Sequence, residues 1–551
     1  MGNIEGSLWL LQALAKMGVR EFCLCPGSRN APLVELLSRS QGLKVWTFFE
    51  ERSAGFFALG RAQVRGGPVA VVTTSGTAAA ELLPACIEAH YLGVPLLWVT
   101  ADRPKSYRLQ GAPQSIEQVG LFSAYVQSCL DISFADGEEV CKNEIRKLSL
   151  WDQKGPAQLN LCFDEPLVNA PIPESQVLDF SPDQEAAFGG RPRGLKSLDL
   201  PSVNFVEQFA RQSRQPLVIV GGLPLWARSP VAELLSALGA PCITEAPSGL
   251  RQGPQSLAGL RWLSDDFVLR EAIRSQEVDG ILRLGGVPSL RLWRDLEYEL
   301  RDLPVLSLAW PPFSGLSEGR AKTLDLESIL AEPSQILKFL TPWSISAIER
   351  LRERDQRRRQ QMDSMLATEP LSEWAWVRHF SGVIGDHSQV FLGNSLPIRE
   401  WDLWAVQEEK NWRIHANRGA NGIDGLVSTF LGLVRGGEEQ NWALLGDLSA
   451  LYDLAGLWPL AQVEKEWGVP VQLVVVNNGG GQIFRSLYQN PIYQNSHQLD
   501  FSHWAKMWGL GYRRVQKPED LKPLDSGSMI FEVCPDNQAT QRLEQALKRG
   551  L

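Results

Sequence analysis

Two short polar segments in the last third of the chain combine residue types that suit a metal ion and a phosphate. Gly446-Asp447-Leu448-Ser449 ends one apolar run, and Asn477-Asn478-Gly479-Gly480 ends the next. A glycine at a strand end lets backbone amides approach a phosphate, and carboxylate, amide and carbonyl oxygens are ligands that Mg²⁺ prefers. Either segment alone is a common turn. Together they predict a Mg²⁺ site made by Asp447, Asn478 and the carbonyl group of Gly480, completed by phosphate and water oxygens.

Four arginines follow predicted strands elsewhere in the chain: Arg29, Arg103, Arg399 and Arg418. A planar guanidinium group can bind a carboxylate through two parallel hydrogen bonds. In an open parallel sheet, ligands bind beyond the carboxyl ends of the strands, where these arginines are expected. The alternative for each arginine is an ordinary salt bridge. Four such positions together favour a substrate that carries carboxylates.

The elements that must position these residues alternate between strands and helices. Continuous apolar runs, typical of strands buried on both faces, are followed by helical spacing of apolar residues. This alternation predicts an α/β protein with three doubly wound parallel-sheet domains, at 1–180, 195–345 and 346–551. The predicted strands are 19–25, 45–49, 69–74, 96–100, 216–222, 280–286, 303–310, 389–393, 442–446 and 472–477.

The connections between these domains differ in composition. Residues 171–201 contain five prolines and no sustained helical or strand-like spacing of apolar residues, which predicts a linker. Residues 345–362 contain six arginines interleaved with acidic residues, which favours a solvated connecting helix over a nucleic-acid-binding one. In the middle domain neither GGLPLW nor GGVPSL has the spacing of a dinucleotide-binding loop, so we interpret this domain as structural.

Composition argues against several other classes of protein. The chain has 54 Lys and Arg against 63 Asp and Glu, a net charge of −9, which is unlike a general nucleic-acid binder. Eight cysteines without a CxxC pair favour buried, reduced thiols. The first residues lack the pattern of a signal peptide, and no apolar run reaches the length of a membrane span. We therefore expect a cytoplasmic protein with no nucleic-acid partner and no membrane insertion.

Eight segments at both ends of the chain together resemble the thiamine diphosphate-dependent enzymes. The family motif joins Gly-Asp-Gly to Asn-Asn, and Leu448 replaces its second glycine, as in one branch of carboligases that serve menaquinone and phylloquinone biosynthesis. The segments are CPGSRNAPL (25–33), FFEERSAGFFALG (48–60), TSGTAAAELLPA (74–85), TADRP (100–104), GNSLPIRE (393–400), NRGANGIDG (417–425), GDLSALYDL (446–454) and NNGGGQIF (477–484).

The resemblance implies the thiamine diphosphate-binding fold, with thiamine diphosphate held through Mg²⁺ and Mn²⁺ as an alternative ion. It makes residues 1–180 the pyrimidine-binding domain, 195–345 a central domain and 346–551 the diphosphate- and metal-binding domain. The expected cofactor-binding residues are Pro26, Gly27, Glu51, Ser75, Asn394, Ser395, Ile423, Gly446, Asp447, Leu448, Ser449 and Asn478, and the metal ligands are Asp447, Asn478 and Gly480.

Two of these positions match family residues with distinct roles. Glu51 matches the catalytic glutamate that contacts the aminopyrimidine ring, and Ile423 matches the large residue that bends the cofactor. An apolar wall beside Glu51 would favour its neutral form. Glu50 is the nearest rival, and we expect it to be a solvated or helix-capping acid. The expected wall consists of Phe48, Phe49, Phe56 and Phe57.

The resemblance also implies the reaction, which is decarboxylation of 2-oxoglutarate and conjugate addition of the resulting succinyl carbanion equivalent to isochorismate. Both substrates are dicarboxylates, which suits the four arginines. Pro113 stands where the family often has an asparagine before the glutamine that Gln114 matches. The expected substrate residues are Ser28, Arg29, Arg103, Gln114, Arg399, Arg418, Gln482 and Ile483.

Two alternative functions stay open, and the resemblance also implies an oligomeric state. An acetolactate synthase-like enzyme or a 2-oxoacid decarboxylase has the same fold, although small neutral acceptors would not need four cations. A catalytically silent relative would not need to keep both Glu51 and the Asp447 and Asn478 pair. The family architecture implies a homodimer or a dimer of dimers, with each active site between the first domain of one subunit and the third domain of another.

Overall fold

Three six-stranded parallel sheets organise the protein, which confirms the predicted fold class of three α/β sheets. The structure is a computed structural model that describes residues 1–168, 178–180, 199–262, 266–437, 440–488, 490–522 and 527–549. The described residues form two compact units, one drawn from 1–190, 419–435 and 452–468 and the other from 191–418, 436–451 and 469–551. The predicted domain boundaries at 180, 195 and 345 stay a prediction.

The first unit contains the first sheet, with strand order β3-β1-β4-β5-β7-β6. Its strands are β1 (Glu21–Leu24), β3 (Lys44–Thr47), β4 (Val69–Thr73), β5 (Leu96–Asp102), β6 (Cys129–Ser133) and β7 (Ala157–Cys162), and a separate pair joins β2 (Ser40–Gln41) to β8 (Leu178–Asp179). Its helices are α1 (Asn3–Lys16), α2 (Ala31–Leu37), α3 (Glu51–Arg65), α4 (Thr77–Ala80), α5 (Leu83–Leu92), α6 (Glu138–Lys147), α16 (Leu426–Leu433) and α18 (Leu460–Trp467).

The second sheet lies in the second unit and has the order β11-β10-β9-β12-β13-β14. Its strands are β9 (Pro216–Val220), β10 (Cys242–Thr244), β11 (Arg261–Trp262), β12 (Gly280–Gly285), β13 (Val305–Ala309) and β14 (Lys322–Asp325). The accompanying helices are α7 (Leu200–Gln212), α8 (Leu225–Leu238), α9 (Asp266–Arg274), α10 (Arg291–Asp295), α11 (Leu326–Ala331), α12 (Ser334–Leu337) and α13 (Ile345–Leu366).

The third sheet, also in the second unit, has the order β16-β15-β17-β18-β20-β19. Apart from the short strand β2, this repeats the connectivity of the first sheet. Its strands are β15 (Gln389–Leu392), β16 (Arg413–His415), β17 (Asn441–Gly446), β18 (Gln472–Val476), β19 (Gly511–Val515) and β20 (Met529–Val533). The helices are α14 (Glu373–Val383), α15 (Leu396–Trp404), α17 (Asp447–Tyr452), α19 (Ser502–Trp508) and α20 (Asn537–Lys548).

The central strands are buried on both faces, as their uninterrupted apolar runs predict. Every residue of β4, β5, β9 and β18 is buried. All registered strand pairs of the three sheets in the described chain are parallel, so the carboxyl ends of the strands in each sheet face one edge. The strand order reverses between β1 and β4, between β9 and β12, and between β15 and β17. These reversals create the crevices in which such sheets bind ligands.

Two expectations about the connections were wrong in part. Most of the predicted linker 171–201 lies outside the described residues, but Leu178–Asp179 pairs with Ser40–Gln41 and Phe180 is buried. The predicted solvated helix is α13, yet Asp355, Arg358 and Arg359 on it are buried. Arg359 donates to the carbonyl oxygen of Leu403 at 2.8 Å, so part of the charged face packs against the protein.

The remaining composition-based expectations concern cysteines and membranes. All eight cysteines are free, and six of them are buried. Among the helices in the described part of the chain, none has the length and apolar character to cross a membrane.

Candidate cofactor and substrate site

Asp447 lies where the strand order of the third sheet reverses, directly after β17. Its carboxylate is almost completely buried. Oδ2 accepts the backbone N–H groups of Gly479 and Gly480, both at 2.9 Å, and Oδ1 accepts that of Leu448 at 2.6 Å. These bonds join the ends of β17 and β18, so the structure brings the two polar segments together.

Asn478 is oriented by a glutamate that the motif does not contain. Its amide nitrogen donates to both carboxylate oxygens of Glu373, at 3.2 and 2.9 Å, which leaves Oδ1 as the amide atom suited to a metal. Burial raises the pKa of Glu373 to about 7. Burial and the adjacent charge of Glu373 raise the pKa of Glu400 well above its ordinary value, which keeps a proton on this carboxyl pair.

The glycine turn after Asn478 is tightly packed. Gly480 has φ +130°, and a Cβ atom there would lie 2.4 Å from the carbonyl oxygen of Gln494. The carbonyl oxygen of Gly480 accepts the N–H of Gln482 at 2.8 Å, and the side chain of Gln482 donates to the carbonyl oxygen of Asn478 at 3.2 Å. Gln482 therefore holds the turn in place, and the half-buried Ile483 follows it.

His497 also reaches this site. Its Nε2 lies 3.2 Å from Oδ2 of Asp447, and its Nδ1 accepts the N–H of Leu499 at 3.2 Å. Burial raises the pKa of Asp447, while its backbone hydrogen bonds and the neighbouring His497 oppose that rise. A positively charged ion beside Asp447 would favour the same ionised form that His497 favours.

The donor set fits Mg²⁺ better than a softer metal. No cluster of three or more His, Cys, Asp or Glu side chains suited to a metal occurs in the described ranges. Asp447, Asn478 and the Gly480 carbonyl supply one carboxylate, one amide oxygen and one backbone oxygen. Mg²⁺ accepts such a small protein share because phosphate and water oxygens complete its octahedron.

A second loop lies at the same reversal, directly after β15. Ser395 has φ +73°, an uncommon backbone conformation for a residue other than glycine. Asn394 donates to the carbonyl oxygen of Asn417 at 2.7 Å, and Arg418 donates to Oδ1 of Asn394 at 3.0 Å. Arg399 donates to the carbonyl oxygen of Ser395. The structure thus brings these two arginines to one loop.

The electrostatic surroundings of Arg399 include residues from the second sheet. Loss of solvation and the positive charge of Arg418 lower the pKa of Arg399. Arg294 on α10 lowers it further, while the charge of Glu245 acts in the opposite direction. The guanidinium groups therefore form a positively charged cluster that an anionic ligand would relieve.

In the first unit, the loops after β1 and β4 meet at the corresponding reversal. A Cβ atom on Gly27 would lie 2.6 Å from the side chain of Thr74, and the N–H of Arg29 donates to Oγ1 of Thr74 at 3.3 Å. The guanidinium group of Arg29 donates to the carbonyl oxygen of Phe163 at 3.0 Å and lies 3.4 Å from Glu165. Pro26 and Ser28 are exposed on this loop.

Glu50 and Glu51 have different surroundings. Glu50 caps α3, because its carboxylate accepts the N–H groups of Arg52 and Ser53 at 3.1 and 3.0 Å, which confirms the capping interpretation. Glu51 is the first residue of α3, and burial raises its pKa. The predicted wall was wrong at Phe49, which is 57% exposed and packs on Trp458, whereas Phe48, Phe56 and Phe57 are buried.

Ser75 and Arg103 both contact the segment that carries Gln114. Oγ of Ser75 donates to the carbonyl oxygen of Gln114 at 2.8 Å, and Nε of Arg103 donates to that of Pro113 at 2.9 Å. Gln114 has φ +53° and an exposed side chain. The nearby Gln118, which is buried, accepts the N–H of Gly76 at 2.8 Å and completes the support of this segment.

Comparison with known proteins supports this combination of fold and motifs. The family model described as thiamine pyrophosphate enzyme, N-terminal TPP binding domain, matches residues 4–121. The chain is 41% identical over 545 residues to a 2-succinyl-5-enolpyruvyl-6-hydroxy-3-cyclohexene-1-carboxylate synthase of Bdellovibrio bacteriovorus, covering 98% of both chains. It belongs to this synthase family.

Further members of the synthase family match over nearly the whole chain. A protein of the same name from Akkermansia muciniphila is 38% identical over 96% of both chains, and one from Bacillus velezensis is 30% identical over 98% of this chain and 96% of its own. The chain is therefore a thiamine diphosphate-dependent enzyme of the transferase class, and its three parallel sheets form the thiamine diphosphate-binding α/β fold.

Sequence reasoning missed several residues around the candidate synthase site. Several of them lie far along the chain from the motif they support, and no spacing rule links the two. Asn478 is 105 residues from Glu373, and His497 lies in the loop beyond the glycine turn. The missed residues that the structure adds are Glu88, Gln118, Glu245, Arg294, Glu373, Glu400 and His497.

Proposed function

We propose that the chain catalyses the thiamine diphosphate-dependent decarboxylation of 2-oxoglutarate and the conjugate addition of the succinyl unit to isochorismate. The product would be 2-succinyl-5-enolpyruvyl-6-hydroxy-3-cyclohexene-1-carboxylate, formed in menaquinone or phylloquinone biosynthesis. The observation that carries the proposal is the pairing of Arg399 and Arg418 around the Asn394 loop, beside the segments that suit a metal and a diphosphate. The synthase relatives support the same reaction.

The residues at the ends of β17 and β18 would hold the cofactor through its diphosphate. When bound, thiamine diphosphate supplies the nucleophilic carbon and the electron sink for decarboxylation. Asp447, Asn478 and the carbonyl group of Gly480 would bind Mg²⁺ or Mn²⁺. The remaining proposed diphosphate contacts are Asn394, Ser395, Gly446, Leu448 and Ser449.

Residues of the first sheet would bind and activate the other end of the cofactor. Glu51 would share a proton with a ring nitrogen, and its raised pKa supports this role because it favours the protonated carboxyl at higher pH. Pro26, Gly27 and Ser75 would line the ring site. Ile423 would keep the cofactor bent.

The arginines would recognise the carboxylates of both substrates. Arg399 and Arg418 both hydrogen-bond to the loop of Asn394 and Ser395, whereas Arg29 and Arg103 donate to the separate carbonyl groups of Phe163 and Pro113. Ser28 and Gln114 are exposed and suited to polar contacts. Gln482 and Ile483 would limit the access of water, which would otherwise protonate the reactive carbon.

We also propose the assembly and location that the family resemblance implies. The active enzyme would be a cytoplasmic homodimer or dimer of dimers, with domains at 1–180, 195–345 and 346–551. Each active site would combine the first domain of one subunit with the third domain of another. The placement of Glu51 and Asp447 in different compact units is compatible with this arrangement.

The deciding experiment supplies purified protein with thiamine diphosphate, Mg²⁺ and 2-oxoglutarate, with and without isochorismate. We expect the succinylated cyclohexene adduct, identified by mass spectrometry, to form only when isochorismate is present. The control is the same mixture with pyruvate in place of 2-oxoglutarate, which should give little adduct because it lacks the second carboxylate. Release of succinic semialdehyde at the same rate with or without isochorismate, and no adduct, would instead identify a 2-oxoacid decarboxylase.

A further inference from the structure

Glu88 on α5 binds the loop that carries Ile423. Its side chain is only 3% exposed. Oε1 accepts the N–H of Gly419 at 2.8 Å, and Oε2 accepts the N–H of Ala420 at 2.7 Å. A single carboxylate therefore satisfies two consecutive backbone donors, which two acceptor oxygens in one plane can do and an amide cannot.

The loop fits tightly against its neighbours at both ends. A Cβ atom on Gly419 would lie 2.7 Å from the carbonyl oxygen of Glu88. At the other end, Gly425 has φ +63°, and a Cβ atom there would lie 2.0 Å from the ring of Phe56. Between them Asn421 has φ +62°. The loop thus holds an uncommon backbone conformation that its contacts must maintain.

The loop and α5 both line one cleft. This open cleft has a volume of about 440 Å³ and is lined by Leu83, Pro84 and Ile87 on or beside α5, by Ala420 and Asp424 of the loop, and by Ala80 and Glu81. Ile423, which lies between Ala420 and Asp424 in the sequence, is half-buried. Because Glu88 follows Ile87 on α5 and accepts the N–H of Ala420, it joins the loop to the helix beside this cleft.

We propose that Glu88 is a positioning residue for the cofactor, acting through the loop 419–425 and Ile423. This inference rests on the proposed role of Ile423 in bending the cofactor. Without the carboxylate, two N–H groups would lose their acceptor, and the loop would leave the conformation in which Ile423 supports the ring system. The affinity for the cofactor would then fall even though Glu88 itself does not contact it.

The test is the dissociation constant for thiamine diphosphate at saturating Mg²⁺, measured by isothermal titration on full-length variants. We expect Glu88→Gln to raise it about ten-fold, because one acceptor oxygen becomes a donor that faces an N–H group. Glu88→Asp keeps both oxygens on a shorter side chain and should give a smaller rise. This second variant keeps the proposal testable where Glu88→Gln does not fold.

Asp279 provides the matched control. Its carboxylate accepts the consecutive N–H groups of Arg214 and Gln215 at 2.9 and 2.8 Å, next to the second sheet. Asp279→Asn disrupts the same kind of carboxylate contact with two backbone N–H groups. It should therefore lower the midpoint of thermal unfolding without changing the dissociation constant for thiamine diphosphate. If Glu88→Gln also lowered only the midpoint, Glu88 would be a purely structural residue and the proposal would be wrong.

A double-mutant cycle checks the route through Ile423. If Glu88 acts through Ile423, the effect of Glu88→Gln on cofactor affinity should largely disappear in an Ile423→Ala background. An equal effect in both backgrounds would overturn the proposal. The cycle uses cofactor binding alone, so it stays informative if the wild-type protein makes no adduct from 2-oxoglutarate and isochorismate, a result that would count against the proposed function only.

Discussion

Adjacent residues of the same type have different tasks in this protein. Glu50 caps α3 with two backbone hydrogen bonds, whereas Glu51 has a raised pKa and no capping role. Asn477 donates to the carbonyl oxygen of Leu499 and to Glu532, both at 2.8 Å, whereas Asn478 donates to Glu373. In each pair, substitution of one residue therefore tests the proposed chemistry, and substitution of the other tests its contribution to stability.

The glutamate pair leads to the first prediction. Glu51→Gln should lower turnover at least about 100-fold, because the proton-sharing carboxyl is lost, while the affinity for thiamine diphosphate changes little. Glu50→Gln should lower stability by about 1 kcal/mol through loss of the cap and keep most of the turnover. Steady-state kinetics, cofactor titration and thermal unfolding check both variants. Unchanged turnover in Glu51→Gln would remove Glu51 from the mechanism.

The asparagine pair leads to the second prediction. Asn478→Ala should weaken the binding of Mg²⁺ and of thiamine diphosphate together, each by about ten-fold or more, because one oxygen ligand is lost. Asn477→Ala should instead lower stability by about 1–3 kcal/mol, since the buried carboxylate of Glu532 loses a donor. Titration with Mn²⁺, followed by electron paramagnetic resonance, measures the metal directly. Equal metal affinity in wild type and Asn478→Ala would contradict the predicted ligand set.

A buried carboxyl in the first unit predicts a pH dependence of stability. Asp453 is fully buried, accepts the N–H of Ser428 at 2.8 Å and lies 3.6 Å from the guanidinium group of Arg52. Burial raises its pKa from 3.8 to about 6. The native state therefore holds this proton more tightly than the unfolded state does, and the stability that protonation provides is lost as the pH rises from about 4 to about 6.

Asp453→Asn tests this dependence because asparagine does not titrate. Between pH 4.5 and pH 7, the wild-type protein should lose about 2 kcal/mol of stability relative to the variant. Urea unfolding of both proteins at several pH values between 4.5 and 7, followed by circular dichroism, measures the difference. Parallel pH profiles would show that Asp453 keeps an ordinary pKa in the folded protein.

At the level of elements, α3 and α16 pack backbone to backbone within the first unit. A Cβ atom on Gly60 would lie 2.3 Å from the carbonyl oxygen of Thr429, and one on Gly432 would lie 2.1 Å from that of Phe57. Oγ of Ser53 and Oγ of Ser428 join the same two helices at 2.8 Å. Since α3 begins at Glu51, this contact helps to fix the position of that residue.

This packing predicts opposite effects for two glycine-to-alanine substitutions in helices. Gly432→Ala should destabilise the protein by about 3 kcal/mol, because the backbone of α3 cannot retreat from the added methyl group. Gly382→Ala in α14 should stabilise it by up to about 1 kcal/mol through helix propensity, since the nearest atom to the added Cβ is 3.7 Å away. Thermal and urea unfolding measure both. Similar effects of the two substitutions would argue against close packing of α3 and α16.

At the level of the whole molecule, the first and third sheets share one connectivity and divide the proposed chemistry. The loops at the reversal of the first sheet carry Gly27 and Ser75, and those of the third sheet carry Ser395 and Asp447. The second sheet uses its reversal differently. There Gly221 and Gly286 pack so closely that a Cβ atom on Gly221 would lie 2.2 Å from the carbonyl oxygen of Gly286. This close contact leaves no space for a side chain at Gly221.

The proposed shared active site predicts complementation between two inactive variants. Glu51→Gln and Asp447→Ala lie in different compact units, so a mixed dimer would contain one site with neither substitution. Unfolding and refolding the two variants together should restore about a quarter of the wild-type activity, because half of the dimers are mixed and each has one intact site. Refolding each variant alone is the control. No recovery in mixtures shown to be dimeric by sedimentation would place each site within one subunit.

The sequence by itself determined the fold class and the short motifs. Continuous apolar strands and helical spacing are local patterns, so β4, β9 and β18 could be located to within a residue or two. Motifs such as Gly446-Asp447 and Asn477-Asn478 also act over a few residues, and their types already indicate oxygen ligands and phosphate contacts. The same local reasoning failed at Phe49, because exposure depends on what packs against a side chain and not on its neighbours in the chain.

Only the tertiary structure decided which distant residues support these motifs. Glu373 orients Asn478, and Glu88 holds the loop of Ile423 through Ala420; each pair is separated by more than a hundred residues along the chain. A hydrogen bond requires a particular distance and direction in space, and the order of strands in a sheet sets both. Because strand order is a property of the folded sheet, no spacing along the chain could reveal these partners.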